Sequence, residues 1–210
     1  MAIIAELKFA SPSAGILRMQ KDLDHLISQV ETGGACGISV LTEPKYFQGS
    51  FENLRHAATR TRLPLLMKDF LVAPYQVLAG HACGASNILV IAAMQDFATF
   101  LPLIRANDLE PLVEIHSEQE ISCAERVRPK LVGVNNRNLK DLKIDFETSR
   151  RLIPKIRDSL GEDIVIISES GVKSRQDIEL LHSYGADGFL VGSSLMEAEN
   201  VCTKLQELVG

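Results

Sequence analysis

Short apolar runs recur along the chain at intervals of roughly 20–35 residues, and patterns typical of helices fill the intervals. Several runs are apolar at consecutive positions, as in ILVI over 88–91 and IVII over 164–167. Consecutive apolarity indicates strands that are buried on both faces, as the strands of a parallel sheet are. The pattern predicts eight strands, near residues 2–8, 37–41, 64–68, 87–92, 110–115, 131–135, 164–169 and 188–192.

The intervening helices are predicted from apolar residues that recur on one face. Residues 23–30 and 97–104 both carry apolar side chains at i, i+3, i+4 and i+7, which predicts helices with one buried face. The segment from Ser117 to Glu120 has the form of a capping box and predicts the start of the helix after the fifth strand. The last helix is expected over about 197–209. Glycines expected at helix C-termini are Gly33, Gly34, Gly80 and Gly185.

Eight strand–helix units in strict alternation indicate either a closed barrel or an open, doubly wound sheet. No GxGxxG motif follows the first predicted strand, so a nucleotide-binding open sheet lacks its sequence signature. The chain has 210 residues, and closed barrels of this type start at about 200 residues. We therefore predict an α/β fold, a (β/α)8 TIM barrel that forms a single domain over residues 1–210.

Charged residues stand at the ends of several apolar runs. Lys8, Lys68, Glu114 and Glu169 end predicted strands one, three, five and seven, where a charge is costly unless it is offset. In a barrel of parallel strands, the C-terminal strand ends all open onto one mouth. Glu6 lies two residues before Lys8 and therefore points to the same side of its strand. The pattern predicts a catalytic rim, and its spread over alternate strands favours a closed ring.

Each of these charges also has an ordinary structural interpretation. Glu6 and Lys8 would then form a buried ion pair, Lys68 would be a surface lysine, and Glu114 would cap a helix. In the functional interpretation, Lys68 donates a proton, forms a Schiff base or holds an anion, and Glu114 takes or relays a proton. His116 is close in sequence, and we interpret it as an ordinary loop histidine.

Polar and small residues follow three further strand ends. Asn135 and Arg137 suit recognition of hydroxyls or a carboxylate, although asparagine is also common in turns. The sequences SESG over 168–171 and VGSS over 191–194 end the last two strands, and their small residues let backbone N–H groups approach an oxyanion. This pair of loops is the usual phosphate site of such barrels, and the alternative is tight turns without a ligand.

Composition and charge exclude several function classes. The chain is 46% hydrophobic and 23% charged, and its formal net charge of −5 offers no general attraction for nucleic acid or an anionic membrane. No apolar stretch is long enough to cross a bilayer, and the start MAIIAELK lacks the features of a signal peptide. We expect no nucleic acid partner, no membrane partner and a cytoplasmic setting.

The cysteines are Cys36, Cys83, Cys123 and Cys202, and their wide spacing includes no CxxC motif. A disulfide framework or a zinc site is therefore not expected. We predict reduced cysteines that serve as small apolar residues, which agrees with a cytoplasmic setting.

Several segments together resemble the indole-3-glycerol-phosphate synthase family of tryptophan biosynthesis. They occur in the family's order and spacing from residue 3 to about 197, which is nearly the whole chain. The combination of KYFQGS, LMKDF and SESG in that order is highly specific. The segments are IAELKFASPSAG, ISVLTEPKYFQGSFENL, LPLLMKDFLV, EPLVEIH, VGVNNRNL, ISESGV and GFLVGSSLM.

The resemblance implies a carboxy-lyase that acts on 1-(2-carboxyphenylamino)-1-deoxyribulose 5-phosphate. The enzyme would close the indole ring and then release carbon dioxide and water, with no metal and no organic cofactor. Lys68 would be the general acid of ring closure, and Glu114 the acid/base of the later proton removal and dehydration. Lys8 would hold the substrate carboxylate and assist the dehydration as an acid.

The resemblance also implies supporting roles at the mouth. Glu6 would tune Lys8, while Asn135 and Glu169 would position sugar hydroxyls and the lysines. Phe47 and Phe70 would flank the aromatic ring of the substrate. The residues implied in phosphate binding are Ser11, Ser170, Gly171, Gly192 and Ser193.

Two features depart from the family pattern. Family members carry some tens of residues before the first strand, which form an extra helix over the mouth, whereas this sequence begins at the predicted first strand. We therefore expect an open rim, which a partner subunit or a second copy in a homo-oligomer would cover. The position after Lys8 is usually basic in the family and here is Phe9, which removes an anion contact close to Ser11.

The residues alone leave two other functions open. One is another phosphate-sugar isomerase or lyase on the same barrel, including an aldolase that uses Lys68 as a Schiff base. The other is a catalytically impaired barrel that has lost its lid and acts as a partner or regulatory subunit. The intact set of charged strand ends argues against the second, because a non-catalytic barrel has little reason to keep desolvated charges.

Overall fold

A barrel of parallel strands forms the centre of the molecule. The computed structural model describes residues 1–12, 15–18, 23–94 and 96–210. After the first barrel strand, β2 (Ala10–Ser11) and β3 (Gly15–Ile16) form a small antiparallel pair. The barrel strands are β1 (Ala2–Leu7), β4 (Gly37–Leu41), β5 (Leu65–Lys68), β6 (Asn87–Ile91), β7 (Glu110–Ile115), β8 (Leu131–Asn135), β9 (Val165–Glu169) and β10 (Gly188–Val191).

The barrel closes because β1 pairs in parallel with both β4 and β10, and this confirms the predicted TIM barrel. The predicted bounds of the second, fifth and sixth strands agree with β4, β7 and β8, and the other predicted bounds differ by one residue at an end. Lys8 and Gly192 therefore lie just beyond their strands. The sequence pattern did not predict β2 and β3, which are too short for a periodic signal. Ser13 and Ala14, in the predicted active-site loop, lie outside the described residues.

Helices follow the barrel strands and cover the outer surface of the barrel. The apolar stripes predicted over 23–30 and 97–104 are confirmed, since they bury Leu26, Ile27 and Val30 in the first helix and Phe100 and Ile104 in the fifth. A 3-10 turn spans Glu118–Glu120. The helices are α1 (Leu23–Thr32), α2 (Pro44–Phe47), α3 (Phe51–Arg60), α4 (Tyr75–Ala82), α5 (Phe97–Ala106), α6 (Ile121–Val127), α7 (Glu147–Leu160), α8 (Arg175–Ser183), α9 (Ser193–Met196) and α10 (Val201–Val209).

The predicted capping box at Ser117 is wrong. The Ser117 hydroxyl donates to Glu120 Oε1 at 2.7 Å, and Glu120 Oε2 accepts the backbone N–H of His116 at 2.8 Å. The Ser117 side chain accepts no N–H of the following turn. The segment therefore forms the 3-10 turn, and α6 begins only at Ile121.

Two other predicted helix ends change as well. Gly80 lies inside α4, where a Cβ atom would lie 2.5 Å from the sulfur of Met67, so its role is close helix–strand packing. The last helix begins at Val201 because Asn200 accepts the N–H of Thr203 at 2.9 Å as its N-cap, and α9 precedes it as a separate turn. The glycines after α1 and α8 do follow their helices, as predicted.

The apolar core has two parts, separated by the wall of the barrel. The larger part lies between the strands and the surrounding helices. The smaller part lies inside the barrel and includes Leu66, Leu112 and Ile167, each two residues before a charged strand end and thus on the same side of its strand. These side chains form an apolar floor beneath the charged residues. They exclude water from one side of the charges.

The four cysteines have different surroundings. Cys36 is exposed, the other three are half-buried, and Cys83 packs against the main apolar core, as expected of a small apolar residue. Among the described helices, none is both long enough and apolar enough to cross a membrane.

A buried amide joins the sixth and seventh strands of the barrel. Asn136 is 1% exposed, and its Nδ2 donates to Ser168 Oγ and to the carbonyl oxygen of Glu169, both at 3.0 Å. Its Oδ1 accepts the hydroxyl of Ser149 at 2.8 Å and the backbone N–H of Ser149 at 3.2 Å. This network holds the loop after β8 against the end of β9. The position of Glu169 therefore depends on an uncharged residue from another strand.

We expect Asn136→Ala to lower the free energy of unfolding by about 3 kcal/mol, because it leaves several buried polar groups without partners. Urea unfolding measures this loss. Asn138→Ala is the matched control, since Asn138 is exposed and its side chain accepts one N–H, that of Lys140 at 2.8 Å. Equal losses in the two variants would contradict a special role for the buried amide.

Candidate active site

Lys68 lies at the end of β5 between two carboxylates from other strands. Its Nζ is 3.0 Å from Glu114 Oε2 on β7 and 2.8 Å from Glu169 Oε2 on β9. The side chains of Glu114 and Glu169 are only 3% and 1% exposed, and that of Lys68 is 15% exposed. Lys68 therefore meets two acids that lie 46 and 101 positions further along the sequence, as the strand-end pattern predicts.

The mutual contacts decide the charges of this cluster. Burial alone would lower the pKa of Lys68, but the carboxylates of Glu114 and Glu169 outweigh it and raise that pKa. Burial would likewise raise the pKa of Glu114, yet the positive charges of Lys68 and His116 lower it. For Glu169, burial raises the pKa to about 8, and repulsion by Glu114 adds to this effect. The two acids therefore differ, since Glu114 favours the carboxylate and Glu169 keeps its proton to higher pH.

A second ion pair lies at the end of β1. Lys8 Nζ is 2.8 Å from Glu6 Oε1, with side chains that are 14% and 4% exposed. The prediction that both side chains point to the same side of the strand is confirmed. Glu6 also raises the pKa of Lys68 through its charge, so the two ion pairs belong to one electrostatic cluster. Glu6 and Lys8 therefore form a buried ion pair and also belong to the charged mouth, so the structural and the functional interpretation of these residues are compatible.

Two glycines make room for the carboxylates of this cluster. A Cβ atom at Gly133 on β8 would lie 2.1 Å from Glu169 Oε1, and a Cβ atom at Gly192 would lie 2.5 Å from Glu6 Oε1. Contacts this short do not occur, so any side chain at these positions would displace the carboxylates. Sequence reasoning assigned Gly192 to phosphate binding alone and missed Gly133.

The loop after β8 uses Asn135 and Arg137 to hold its own backbone. The N–H of Arg137 donates to Asn135 Oδ1 at 2.9 Å, and Arg137 Nη1 donates to the carbonyl oxygen of Leu142 at 2.9 Å. Ile144 in the same loop forms a bridge with Arg137 and lies where a Cβ atom of Gly171 would be, at 2.6 Å. The turn interpretation of these two residues thus accounts for the contacts seen here.

The loops after β9 and β10 lie side by side. Ser194 Oγ donates to the carbonyl oxygen of Val172 at 2.8 Å, which ties the two loops together. Ser170 has a φ of 68° and Gly171 a φ of 100°, so the chain turns through two consecutive left-handed residues. Ser193 opens the short helix α9. Residues 168–171 and 191–194 are therefore neighbours in the structure, as predicted.

Two aromatic side chains, one from the end of α2 and one from the loop after β5, meet at the mouth. The ring centroids of Phe47 and Phe70 are 6.2 Å apart with an interplanar angle of 45°. Ser11, in β2, is 8% exposed. Phe9, which stands where a basic residue is expected, is 3% exposed and packs in the main apolar core.

A buried support beneath the loop after Lys68 escaped the sequence analysis. Thr42 Oγ1 donates to Asp69 Oδ2 at 2.7 Å, and Asp69 Oδ1 accepts the N–H of Phe70 at 2.8 Å. Gln76 Nε2 donates to the carbonyl oxygen of Phe70 at 3.0 Å. The sequence signal for this support was Asp69, the acid that directly follows Lys68 in LMKDF. This support holds Phe70 in place.

His116, which the sequence analysis interprets as an ordinary loop histidine, lies next to Glu114. Its side chain is 10% exposed, and Nε2 lies 3.3 Å from Glu114 Oε1. The available signal was its spacing of two residues from Glu114, which places both on one side of the strand end. No group of three or more His, Cys, Asp or Glu side chains suited to a metal ion occurs among the described residues.

A family model described as indole-3-glycerol phosphate synthase matches residues 1–208. The chain is 43% identical over 211 residues to the indole-3-glycerol phosphate synthase of Aquifex aeolicus, covering 99% of this chain and 81% of the relative. The enzyme of the same name from Methanocaldococcus jannaschii is 40% identical over 211 residues, covering 99% of this chain and 77% of the relative. The chain belongs to the indole-3-glycerol phosphate synthase family.

Membership of the indole-3-glycerol phosphate synthase family makes the chain a carboxy-lyase of tryptophan biosynthesis. Solved structures agree on the fold. A mutant tryptophan synthase α-subunit from Pyrococcus furiosus superposes with a TM-score of 0.75 at 13% identity, covering 100% of this chain and 98% of the other. A 3-hexulose-6-phosphate synthase gives a TM-score of 0.74 at 14% identity, covering 99% and 98%. At such low identity these two structures support the barrel alone.

The raised pKa of Glu169 predicts a pH dependence of stability in this synthase. Between the ordinary glutamate value of 4.5 and about 8, folded Glu169 binds a proton that the unfolded chain has released. Its contribution is fully present below the lower value and is lost as pH rises through the upper one. The free energy of unfolding therefore falls with pH in this window, by at most about 1.4 kcal/mol per pH unit from this group.

Glu169→Gln should remove this slope, and urea unfolding at several pH values measures it. Glu162→Gln is the matched control, because Glu162 is exposed and outside the cluster. Parallel pH curves for the parent and Glu169→Gln would show that Glu169 does not bind the proton.

Proposed function

We propose that the charged cluster at the barrel mouth is the active site that closes the indole ring of 1-(2-carboxyphenylamino)-1-deoxyribulose 5-phosphate and releases carbon dioxide and water. The single observation that carries this proposal is the Lys68 ammonium held between Glu114 and Glu169. Ring closure needs a proton donor at the ketone, and decarboxylation followed by dehydration needs further proton transfers. The cluster supplies both proton donors and proton acceptors at one place.

Lys68 acts as the general acid in this proposal. The acids Glu114 and Glu169 raise its pKa, so the side chain is an ammonium in the free protein and has a proton to give to the substrate ketone. The same charge disfavours a Schiff base, because that reaction needs the neutral amine as nucleophile. The geometry therefore supports the synthase chemistry over the aldolase alternative.

Glu114 acts as the acid/base for the later steps. Lys68 and His116 lower its pKa, so it is a carboxylate that can accept a proton from the new five-membered ring and return it to the departing hydroxyl, which leaves as water. Glu169 and Asn135 position Lys68 and the sugar hydroxyls. The protonated carboxyl of Glu169 can donate a hydrogen bond, which a carboxylate cannot.

Lys8 binds the carboxylate of the substrate, and Glu6 orients it through their 2.8 Å contact. In the free protein, the Lys8 ammonium already contacts Glu6. The substrate carboxylate would therefore be the second anion bound to the Lys8 ammonium. Carbon dioxide then leaves from a carboxylate that is held next to a cation. Phe47 and Phe70 flank the aromatic ring of the substrate.

The phosphate group binds at the paired loops after β9 and β10. Their mutual hydrogen bond and small residues support an approach of backbone N–H groups to an anion. Arg137 contributes a positive charge at the rim, from a guanidinium whose Nη1 holds its own loop. The phosphate contacts in this proposal come from Ser11, Ser170, Gly171, Gly192 and Ser193.

The rim of the mouth carries exposed apolar side chains, and we propose that a partner subunit or a second copy of the chain covers it. These side chains lie in the segments that follow β1, β4, β5 and β6, and exposed apolar side chains on one face of a protein favour an interaction surface. Sedimentation velocity on the purified chain measures self-association, and a monomer at every concentration would exclude the second copy. The exposed rim residues are Ile16 at 69%, Tyr46 at 50%, Val72 at 81%, Tyr75 at 63% and Met94 at 56%.

A cytoplasmic setting remains part of the proposal. Its support is the set of free thiols, which an oxidising compartment would tend to pair or modify. Subcellular fractionation measures this directly, and recovery of the chain from an oxidising compartment would contradict it.

The decisive experiment offers the anilino-deoxyribulose phosphate to the purified protein and follows indole absorbance or fluorescence. Lys68→Met should lower kcat by roughly 10²–10⁴-fold, because it removes the proton donor while conserving volume. Lys130→Met is the matched control, since the Lys130 side chain is 85% exposed and stands before β8 at the far end of the barrel. Failure of the folded parent to form product, or near-normal kcat in Lys68→Met, would contradict the proposed function.

A further inference from the structure

His116 lies directly after β7, buried against the base proposed above. Its Nε2 is 3.3 Å from Glu114 Oε1, and its Nδ1 is 3.7 Å from Glu120 Oε2. Both nitrogens are buried, and neither makes a well-aligned hydrogen bond within the described residues. A buried polar ring between two acids is costly unless the contacts are ionic. The imidazole is therefore placed to act through its charge.

Glu120 is held firmly on the outer side of this ring. Its Oε2 accepts the backbone N–H of His116 at 2.8 Å, and its Oε1 accepts the hydroxyl of Ser117 at 2.7 Å. These contacts explain why the 3-10 turn replaces a capping box at this point. The turn brings a fixed negative charge to the side of His116 that faces away from Glu114.

Glu114 meets a different cation at each oxygen. Oε2 accepts from Lys68 at 3.0 Å, and Oε1 faces His116 Nε2 at 3.3 Å. A cationic group at each oxygen restricts the rotation of the carboxylate, and two cations favour its ionised form. Lys68 alone would fix only one oxygen, so the orientation of the other depends on the imidazole.

We propose that His116, supported by Glu120, is a positioning residue that keeps Glu114 ionised and aimed at the substrate. This inference rests on the proposed function, in which Glu114 is the acid/base. It assigns to His116 no proton transfer with the substrate. The residue acts through its contact with Glu114, and Glu120 acts through His116.

The charges that face His116 come from three elements. They are Glu114 on β7, Glu120 in the 3-10 turn and Glu169 on β9, and Lys68 faces it only across Glu114. Burial lowers the pKa of His116, but these acids outweigh burial and raise it. The imidazole therefore stays charged to higher pH than an exposed histidine does. Its charge in turn lowers the pKa of Glu114.

The first test compares His116→Leu, which removes charge and polarity, with His116→Gln, which restores a hydrogen-bond donor without the charge. Loss of the imidazolium raises the pKa of Glu114, so the acid limb of the kcat/KM profile should move up by about one pH unit in both variants. The plateau kcat should fall roughly tenfold in His116→Leu and recover in large part in His116→Gln, because the amide again orients Glu114.

His25→Gln is the matched control, since His25 is exposed on α1 and contacts Gln29. It should leave both the plateau and the acid limb unchanged. A purely structural role for His116 would lower the stability of both variants without moving the acid limb. An unmoved acid limb in both His116 variants therefore overturns the proposal, whatever happens to stability.

The second test does not depend on turnover. Titration of the His116 imidazole by NMR in the whole protein should give a pKa above the ordinary histidine value of 6.5, and Glu114→Gln and Glu120→Gln should each lower it. An unchanged titration in both variants would overturn the proposal, even if the parent is fully active. An inactive parent with the expected titration would instead contradict the proposed function while the contact between His116 and Glu114 stands.

Discussion

The contact of the Lys68 ammonium with the buried acids Glu114 and Glu169 is the interaction on which the mouth of this barrel depends. Without it, Glu114 and Glu169 would be neighbouring negative charges over an apolar floor, where burial and repulsion both oppose ionisation. Lys68 favours the ionised form of both acids: its charge outweighs burial at Glu114, whose pKa is lowered, but not at Glu169, whose pKa burial and Glu114 raise to about 8. Two glutamate side chains thus differ in pKa because their surroundings differ.

The barrel makes this arrangement possible because alternate strands bring their ends to one level. Strands β1, β5, β7 and β9 each supply a charged side chain, and residues two positions earlier supply the apolar floor. The intervening strands contribute space and support instead. Gly133 on β8 leaves room for Glu169, and Asn136 fixes the backbone beside it. One set of alternate strands therefore supplies the charged side chains, and the strands between them leave room for those side chains and support them.

Much of this could be predicted from sequence, because strand ends and apolar runs are local signals. The barrel and the meeting of Lys68 with Glu114 follow from where charges interrupt apolar segments. The network of Asn136 and the contact of His116 with Glu120 could not be predicted, since the first depends on the register between strands and the second on an irregular turn. The same reason hid the second role of Gly192: the sequence suggested an anion loop, and only the geometry reveals the carboxylate beside it.

The glycines beside the carboxylates also set limits on engineering this enzyme. Replacing glycine by alanine is a common route to greater heat resistance, because it restricts the unfolded chain. At Gly133 and Gly192 the new methyl group would occupy the volume that Glu169 and Glu6 fill. Gly161 has open space around it but a φ of 94°, which alanine tolerates poorly. A thermostability programme for this chain should therefore leave the barrel interior alone and work on the outer helices.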